Sequence, residues 1–201
     1  MPKLTDRPKQ KQLIAEAAWR VILEKGVQKT SARNIAKEAG LSLGALRYYF
    51  DSQDDLLDYA DRLVHARLAE KIDEIFQDDL QPKTKISKVL LCLLPAGGEQ
   101  GMEAKVRVSM KFATVKQAGS AAAVQDAAFS AAKNIVSYLA LLNLLEKEAD
   151  LALETERLYS LINGLAVDLL LHPETTEEKK TENLVMYHLN SICIEKFGEV
   201  E

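Results

Sequence analysis

The side chains best suited to chemistry in this sequence are hydrogen-bond donors near its amino terminus, and the chemistry they suit is contact with a polyanion. Arg47 carries a guanidinium that can bond O6 and N7 of one guanine together, or a phosphate alone. Thr30, Ser31 and Arg33 stand at the start of one predicted short helix, and Ser42 caps the next. In a helix-turn-helix such helix starts face the phosphate backbone. We therefore expect phosphate contacts at both helix starts, and both roles stay open for Arg47.

The spacing of three small and apolar residues predicts how these two helices are held. Ala36 is small enough for the helices to cross closely, and Gly40, four positions later, suits a turn that needs a left-handed backbone. Leu46, six positions further on, anchors the second of the two helices on the core. Together with an apolar stripe on the preceding helix, this spacing predicts a helix-turn-helix.

Charge is distributed unevenly along the 201 residues. The formal net charge of −4 would argue against a nucleic-acid partner if it were spread evenly. Residues 1–50 hold 10 Lys and Arg against 4 Asp and Glu, whereas residues 51–201 hold 16 against 26. This asymmetry predicts that only the amino-terminal quarter meets a polyanion.

Composition excludes several classes of protein. Alanine and leucine supply 55 of the 201 residues and glycine and proline only 14, which favours helix over strand. The longest charge-free run, residues 134–145, is too short to span a bilayer, and the first residues lack the apolar segment of a signal peptide. Cys92 and Cys193 lie far apart and form no disulfide framework. We expect an all-α cytoplasmic protein that does not associate with membranes.

Apolar residues at helical period predict about nine helices. Three short ones form a DNA-binding domain over residues 1–51, and the others form an effector-binding and dimerisation domain over residues 52–201. The stripe of the first helix includes Leu13. Pro82 is predicted to stop the fourth helix, and residues 96–101 are predicted to be a loop. The predicted helices span residues 7–25, 31–39, 42–49, 53–78, 86–94, 102–118, 120–147 and 150–172, and a ninth is capped by Thr175 and Thr176.

The amino-terminal motif resembles the DNA-binding domain of the TetR family of transcriptional regulators. The resemblance covers about residues 7–60 and is carried by Thr30-Ser31, Ile35-Ala36, Ala39-Gly40, Ser42, Gly44, Leu46, Phe50 and Leu56-Leu57. Residues 161–165, Leu-Ile-Asn-Gly-Leu, resemble the eighth helix of the branch similar to the choline-responsive repressor. The resemblance implies a ligand-responsive regulator, a repressor, that binds a palindromic operator as a homodimer and responds to an unidentified small-molecule effector.

Three positions depart from the family pattern. Arg47 stands where the family has Tyr, Tyr49 where it has His, and Gln53 where it has a Lys that contacts phosphate. We therefore expect an operator and a salt dependence unlike those of better known members. The residues predicted to contact DNA are Thr30, Ser31, Arg33, Ser42, Leu43, Gly44, Ala45, Arg47, Tyr48, Tyr49 and Gln53.

Two further sets of residues are predicted in the helical body. The first combines polar and apolar side chains that could line an effector pocket, or simply alternate between core and solvent: Ser109, Phe112, Phe129, Asn134 and Tyr138. The second supplies more apolar surface on the eighth and ninth helices than one chain is expected to cover, which predicts a dimer interface: Leu158, Leu161, Leu165, Leu169, Leu184, Tyr187 and Leu189.

Two other classes of protein compete with a ligand-responsive regulator. A helical enzyme is disfavoured because the sequence has no nucleophile–base set, no metal-ligand cluster and no cofactor motif, and because the basic motif would be unexplained. A DNA-associated adaptor whose body binds a protein would have the same helical pattern, so it stays open as an alternative.

Overall fold

The computed structural model describes residues 7–95, 98–118, 127–172 and 178–194. Over these residues the chain is all-α, as predicted, with nine α-helices and one short 3-10 turn at Val27–Lys29. The helices are α1 Arg7–Lys25, α2 Ala32–Glu38, α3 Leu43–Tyr49, α4 Gln53–Gln77, α5 Pro82–Leu93, α6 Gly98–Ala118, α7 Ala127–Leu141, α8 Leu151–Leu171 and α9 Glu178–Ile192.

Three predicted boundaries are wrong. Pro82 begins α5 instead of only ending α4, because the first turn of a helix needs no proline N–H. The predicted loop is helical from Gly98 onward, where α6 starts. α7 ends at Leu141 and not at 147, and Asn143 reverses the chain with a φ of 54°. The predicted caps of α9, Thr175 and Thr176, lie outside the described residues.

The chain divides into two compact units. The first comprises residues 1–69 and 105–122, and the second comprises residues 70–104 and 123–201. The first unit therefore holds α1, α2, α3 and most of α4, whereas the second holds α5, α7, α8 and α9.

The core of the first unit is built on α1. Its apolar face buries Ile14, Ala17, Ala18, Val21 and Ile22, but Leu13 is 46% exposed, so its predicted place in that face is wrong. Trp19 was not singled out by periodicity, yet its ring is fully buried and its Nε1 donates to the carbonyl of Ala60 in α4 at 3.1 Å. This bond ties α1 to α4.

The core of the second unit is built from leucine-rich faces of α5, α7, α8 and α9. Leu90, Leu139, Leu158 and Ile162 are fully buried there, and α8 starts where the Asp150 carboxylate accepts from two backbone N–H groups. After α9, Cys193 pairs with Leu145 in an isolated antiparallel bridge. Burial raises the pKa of the Cys193 thiol to about 11, which keeps it protonated.

Candidate DNA-binding surface

The start of α2 is fixed by Ser31. Its Oγ accepts from the backbone N–H of Asn34 at 3.2 Å, which is the predicted cap, and Arg33 is exposed one residue into the helix. Thr30 differs from the prediction. It is only 3% exposed, and its Oγ1 donates to the carbonyl of Gly26 at 3.0 Å. Because this hydroxyl is buried and bonded to the backbone, it stabilises the fold and does not contact phosphate, so the predicted role of Thr30 is wrong.

The turn between α2 and α3 has the predicted form. Gly40 adopts a φ of 66°, the left-handed conformation that glycine tolerates best, and the N–H of Leu41 donates to the carbonyl of Ala36 at 2.8 Å. Ser42 then caps α3, because its Oγ accepts from the N–H of Ala45 at 3.1 Å. The helix-turn-helix geometry is therefore set by local interactions.

The third helix has one buried edge and one exposed face. Leu46 is buried and anchors the helix, as predicted. Gly44, Arg47 and Tyr48, at positions i, i+3 and i+4, are exposed on one face. The predicted contact residues Leu43, Ala45 and Tyr49 are half-buried beside that face.

Gly44 is in close contact with none of the other described parts of the chain. A Cβ built on it would meet only the Oγ of Ser42, at 3.9 Å. Glycine costs up to about 1 kcal/mol relative to alanine in a helix interior and less in the first turn, where Gly44 lies, so a side chain there would stabilise α3 to some extent. The space beside Gly44 lies on the exposed face of α3.

Two cations of α1 lie against aromatic rings at the end of α3, and sequence reasoning missed them. The Arg7 guanidinium lies 5.2 Å from the ring centroid of Tyr48, and its Nη2 donates to the Tyr48 carbonyl at 3.4 Å. The Nζ of Lys11 lies 4.7 Å from the ring of Phe50 and 5.5 Å from that of Tyr59. These contacts bring the first turns of α1 to the edge of the exposed face.

Gln53, the first residue of α4, is predicted to contact DNA, but the structure directs its amide to α2. Its Oε1 accepts from the N–H of Ala32 at 3.1 Å, and its Nε2 donates to the carbonyl of Thr30 at 2.9 Å. Both polar ends of the side chain are therefore engaged inside the first unit.

Some of the basic side chains in the first unit form ion pairs with acidic side chains of the same unit. Arg20 in α1 pairs with Glu38 in α2, Nε to Oε1 at 2.6 Å. Arg67 in α4 pairs with Glu16 and lies over the Trp19 ring, 5.0 Å from its centroid. Not every cation is thus free to meet DNA, whereas Arg33 and Arg47 keep exposed side chains.

The predicted pocket residues are divided between the two units. Ser109 and Phe112 belong to the first, where Phe112 is exposed. In the second, the Phe129 ring packs edge-on against Tyr159 at 5.3 Å and Tyr138 packs against Phe76 at 5.7 Å, whereas Asn134 is exposed. The aromatic members therefore have neighbours within their own unit.

The predicted dimer residues fall into two groups. Four are buried in the core of their own unit, so their assignment to an interface is wrong: Leu158, Leu165, Leu169 and Leu189. Helical periodicity marks such residues as apolar without telling which neighbour covers them. Leu161 is half-buried, while Leu184 and Tyr187 are exposed. The last two line an open groove of about 510 Å³ together with Lys179, Lys180 and Asn183.

A polar cluster joins α8 to α9. The Arg157 guanidinium donates from Nε to Nδ1 of His188 at 3.2 Å and from Nη2 to Oγ of Ser191 at 2.6 Å, and Nε lies 3.1 Å from Oε2 of Glu154. Burial, with a smaller effect from the Arg157 charge, lowers the pKa of His188 to about 4. His188 is therefore neutral near pH 7, and its buried Nε2 meets no hydrogen-bond partner among the residues that the structure describes.

A capped helix-turn-helix whose second helix exposes one face, with basic residues of α1 against aromatic rings at the end of that helix, is typical of a DNA-binding protein. Comparisons with known proteins agree. Residues 14–60 match the family described as bacterial regulatory proteins, tetR family, and residues 82–194 match the carboxy-terminal domain of BetI-type transcriptional repressors. The chain belongs to the TetR family.

Relatives extend this assignment over the whole chain. It is 42% identical to the HTH-type transcriptional regulator PksA of Bacillus subtilis, over 100% of this chain and 98% of that protein. It is 32% identical over 45% of its length to the HTH-type transcriptional regulator BetI of Proteus mirabilis, covering 46% of that protein. A crystal structure of a transcriptional regulator from Rhodococcus sp. Rha1 shares the fold, with a TM-score of 0.68 at 22% identity over 90% of this chain and 95% of that one.

The protein is therefore a transcriptional regulator and not an enzyme. Among the described residues, His, Cys, Asp and Glu form no group of three or more that could hold a metal ion. None of the described helices combines the length and apolarity that crossing a membrane requires.

Proposed function

We propose that this protein is a cytoplasmic repressor that binds a palindromic operator as a homodimer and releases it when a small-molecule effector binds the helical body. The observation that carries the proposal is the exposed face of α3, where Gly44, Arg47 and Tyr48 lie together while Leu46 is buried. A face of this kind fits the major groove, where the recognition helix of a helix-turn-helix reads bases.

Each side chain of this surface has a proposed role. Ser31 and Arg33 at the start of α2 and Ser42 at the start of α3 hold phosphates. Arg47 reads a guanine through O6 and N7. Apolar contacts with thymine methyl groups come from Leu43 and Ala45, while Tyr48 and Tyr49 contact the DNA backbone beside them.

The proposed dimer follows from the length of one DNA turn. Two recognition helices read successive major-groove faces when they stand about 34–36 Å apart, and the symmetry of a homodimer then requires a palindromic operator. Exposed Leu184 and Tyr187 on α9 support an interface on this helix. The match of residues 82–194 to BetI-type repressors supports repression and not activation.

The proposed function is tested on DNA. The purified protein is used to select fragments from a genomic library, and a gel shift then compares a selected fragment with a scrambled duplex of equal length. We expect binding to the selected fragment at least a thousandfold tighter, within the usual specificity range. A reporter under the selected fragment distinguishes repression from activation. Equal affinity for both duplexes would contradict the proposal.

The effector is tested separately by a thermal-shift screen of metabolites. A ligand that stabilises the protein and also releases the selected fragment supports an effector site, because an allosteric ligand must favour the state that DNA disfavours. The alternative, an adaptor whose body binds a protein, is supported if no metabolite shifts the melting temperature while DNA binding is intact.

The role of Gly44 gives a prediction that separates folding from DNA binding. We expect Gly44→Ala to stabilise the protein by up to about 1 kcal/mol, because α3 gains helix propensity and the new Cβ has room within the protein. We expect the same change to weaken specific DNA binding roughly tenfold, because the methyl group occupies the space that DNA needs. Thermal unfolding and gel shifts measure the two effects.

Gly164 in α8 provides the matched control. It is also an exposed helical glycine with open space around it, so Gly164→Ala should stabilise the fold by up to about 1 kcal/mol and leave DNA affinity unchanged, with sedimentation as the check that the variant keeps the oligomeric state of the wild type. A Gly44→Ala variant that binds DNA as tightly as the wild type would show that α3 does not approach DNA closely at this position.

The proposed interface gives a second prediction. Tyr187 is 77% exposed, and Tyr187→Glu should shift the dimer towards monomer by placing a charge in an apolar contact. Leu141, at the end of α7, is 76% exposed and serves as the control, so Leu141→Glu should leave the dimer intact. Sedimentation at micromolar concentration measures both. A wild type that sediments as a stable monomer would refute the proposed homodimer.

A further inference from the structure

The amino-terminal end of α2 is held by a side chain from another helix. Gln53 opens α4, whose cap is Ser52, where Oγ accepts from the N–H of Asp55 at 3.0 Å. From this position the half-buried Gln53 amide reaches back 21 residues to the N–H of Ala32 and 23 residues to the carbonyl of Thr30. The first N–H groups of any helix lack a partner within the helix, and here the first residue of α2 finds one in α4.

The bond continues into the end of α1. Thr30, whose carbonyl accepts from Gln53, is itself buried and donates its hydroxyl to the carbonyl of Gly26, the residue that directly follows α1. A continuous series of hydrogen bonds therefore runs from the end of α1 through Thr30 to the start of α4. Buried polar groups that are satisfied in series hold backbone segments in one arrangement.

These hydrogen bonds link the start of α2 to the residues that follow α3, at the end of the helix-turn-helix opposite the turn. At the turn, α2 and α3 are joined by Gly40 and by the bond from Leu41 to Ala36. At the other end, residues 50–52 connect α3 to Gln53. The Gln53 side chain accepts a hydrogen bond from the N–H of Ala32, the first residue of α2. The two helices are thereby fixed at both ends, so their relative position does not depend on the turn alone.

We propose that Gln53 is a positioning residue that holds the start of α2, and with it Ser31 and Arg33, in register with the recognition helix α3. This inference rests on the proposed function, because register matters only if α2 and α3 bind the same duplex. A surface arranged before binding loses less conformational freedom on binding. Gln53 acts through Thr30 and Ala32 and needs no contact with DNA.

The chemistry of the amide explains why glutamine suits this role. A carboxamide both accepts and donates, so it satisfies an N–H and a carbonyl together. A lysine, which the family pattern has at this position, offers donors only and would leave the N–H of Ala32 without this partner. The residue that departs from the family pattern is therefore matched to the backbone groups that it meets.

The first measurement uses the full-length protein without DNA. Hydrogen exchange of the Ala32 amide, followed by NMR, should show protection in the wild type and at least a tenfold loss of protection in Gln53→Ala. Gln53→Glu keeps one oxygen that accepts from this N–H but sets a second oxygen against the Thr30 carbonyl, so its protection should lie between those of the wild type and Gln53→Ala. Gln77→Ala, an exposed glutamine at the other end of α4, is the matched control. An Ala32 amide that exchanges equally in the wild type and in Gln53→Ala would overturn the proposal.

The second measurement adds DNA. Gln53→Ala should weaken binding to the selected fragment about tenfold and binding to a scrambled duplex less than twofold. In the specific complex α2 must meet phosphates while α3 is seated on its bases, whereas in a non-specific complex the phosphate contacts can shift along the backbone. Equal losses on both duplexes would overturn the positioning role. If the wild type binds both duplexes equally, the proposed function is wrong and the positioning role is wrong with it. If the wild type prefers the selected fragment and Gln53→Ala keeps that preference, only the positioning role is wrong.

Discussion

Replacing Arg47 with alanine is expected to weaken binding to the selected DNA fragment by about 1–3 kcal/mol per half-site, and by less on unrelated DNA. Arg47 is exposed on the face of α3 that also carries Gly44 and Tyr48, so its guanidinium is free to reach a base edge. A bidentate bond to guanine is lost entirely when the side chain is truncated, and the guanine is then left without that partner. Quantitative gel shifts on both duplexes measure the difference.

Arg33 provides the comparison for Arg47. It is exposed at the start of α2, and as a proposed phosphate contact its replacement by alanine should weaken all DNA binding alike and reduce the salt slope by about 1 per half-site. Specificity at one base pair should relax in Arg47→Ala and not in Arg33→Ala. If Arg47→Ala instead weakens both duplexes equally, Arg47 contacts phosphate and the base-reading assignment is wrong.

The second large effect is a loss of stability in acid that depends on His188. Its pKa is lowered from 6.5 to about 4, first by burial and then by the Arg157 charge. Between these values the unfolded chain binds a proton that the folded chain does not, so stability is full above pH 6.5 and falls as the pH drops towards 4. Between pH 7.5 and pH 5 we expect a loss of about 2 kcal/mol from this group.

The matched variant is His188→Gln, because an amide oxygen can still accept from Arg157 but does not titrate. Urea unfolding at the two pH values should show that the free energy of unfolding falls less in the variant than in the wild type. Both proteins have the same carboxylates, so the effect of carboxylate protonation cancels when the two are compared. If the variant does not fold, an NMR titration of His188 in the wild type gives its pKa directly. A midpoint near 6.5 would contradict the expected acid sensitivity.

The sequence predicts those parts of the DNA-binding surface that depend on neighbouring residues. Ser31 and Ser42 cap helices through bonds to N–H groups three residues away, and Gly40 is required by the backbone of a short turn. The all-α class follows from composition for the same reason, since helix propensity is a property of each residue and its near neighbours. These features need no knowledge of how distant segments pack.

Contacts between distant segments could not be predicted in this way. Thr30 resembles a cap in sequence, but the bond from Gln53 depends on where α4 passes. Arg7 meets Tyr48 across 41 residues, and the positive charge of the first 50 residues does not indicate which aromatic ring it meets. Leu158 was assigned to an interface because apolarity alone does not distinguish a surface that the same chain covers from one that a second chain covers.

The contacts of Arg7 and Lys11 with the end of α3 determine which segment can be transplanted to change operator preference. A chimera that exchanges only α3 between two relatives would separate Tyr48 from the Arg7 guanidinium that lies against it. The segment to transplant is therefore the whole of residues 7–67, which also contains Gln53 with the groups it holds and Arg67, which pairs with Glu16 and lies over Trp19. Grafting at this boundary, and not at the ends of α3, preserves the contacts that support the exposed face of α3.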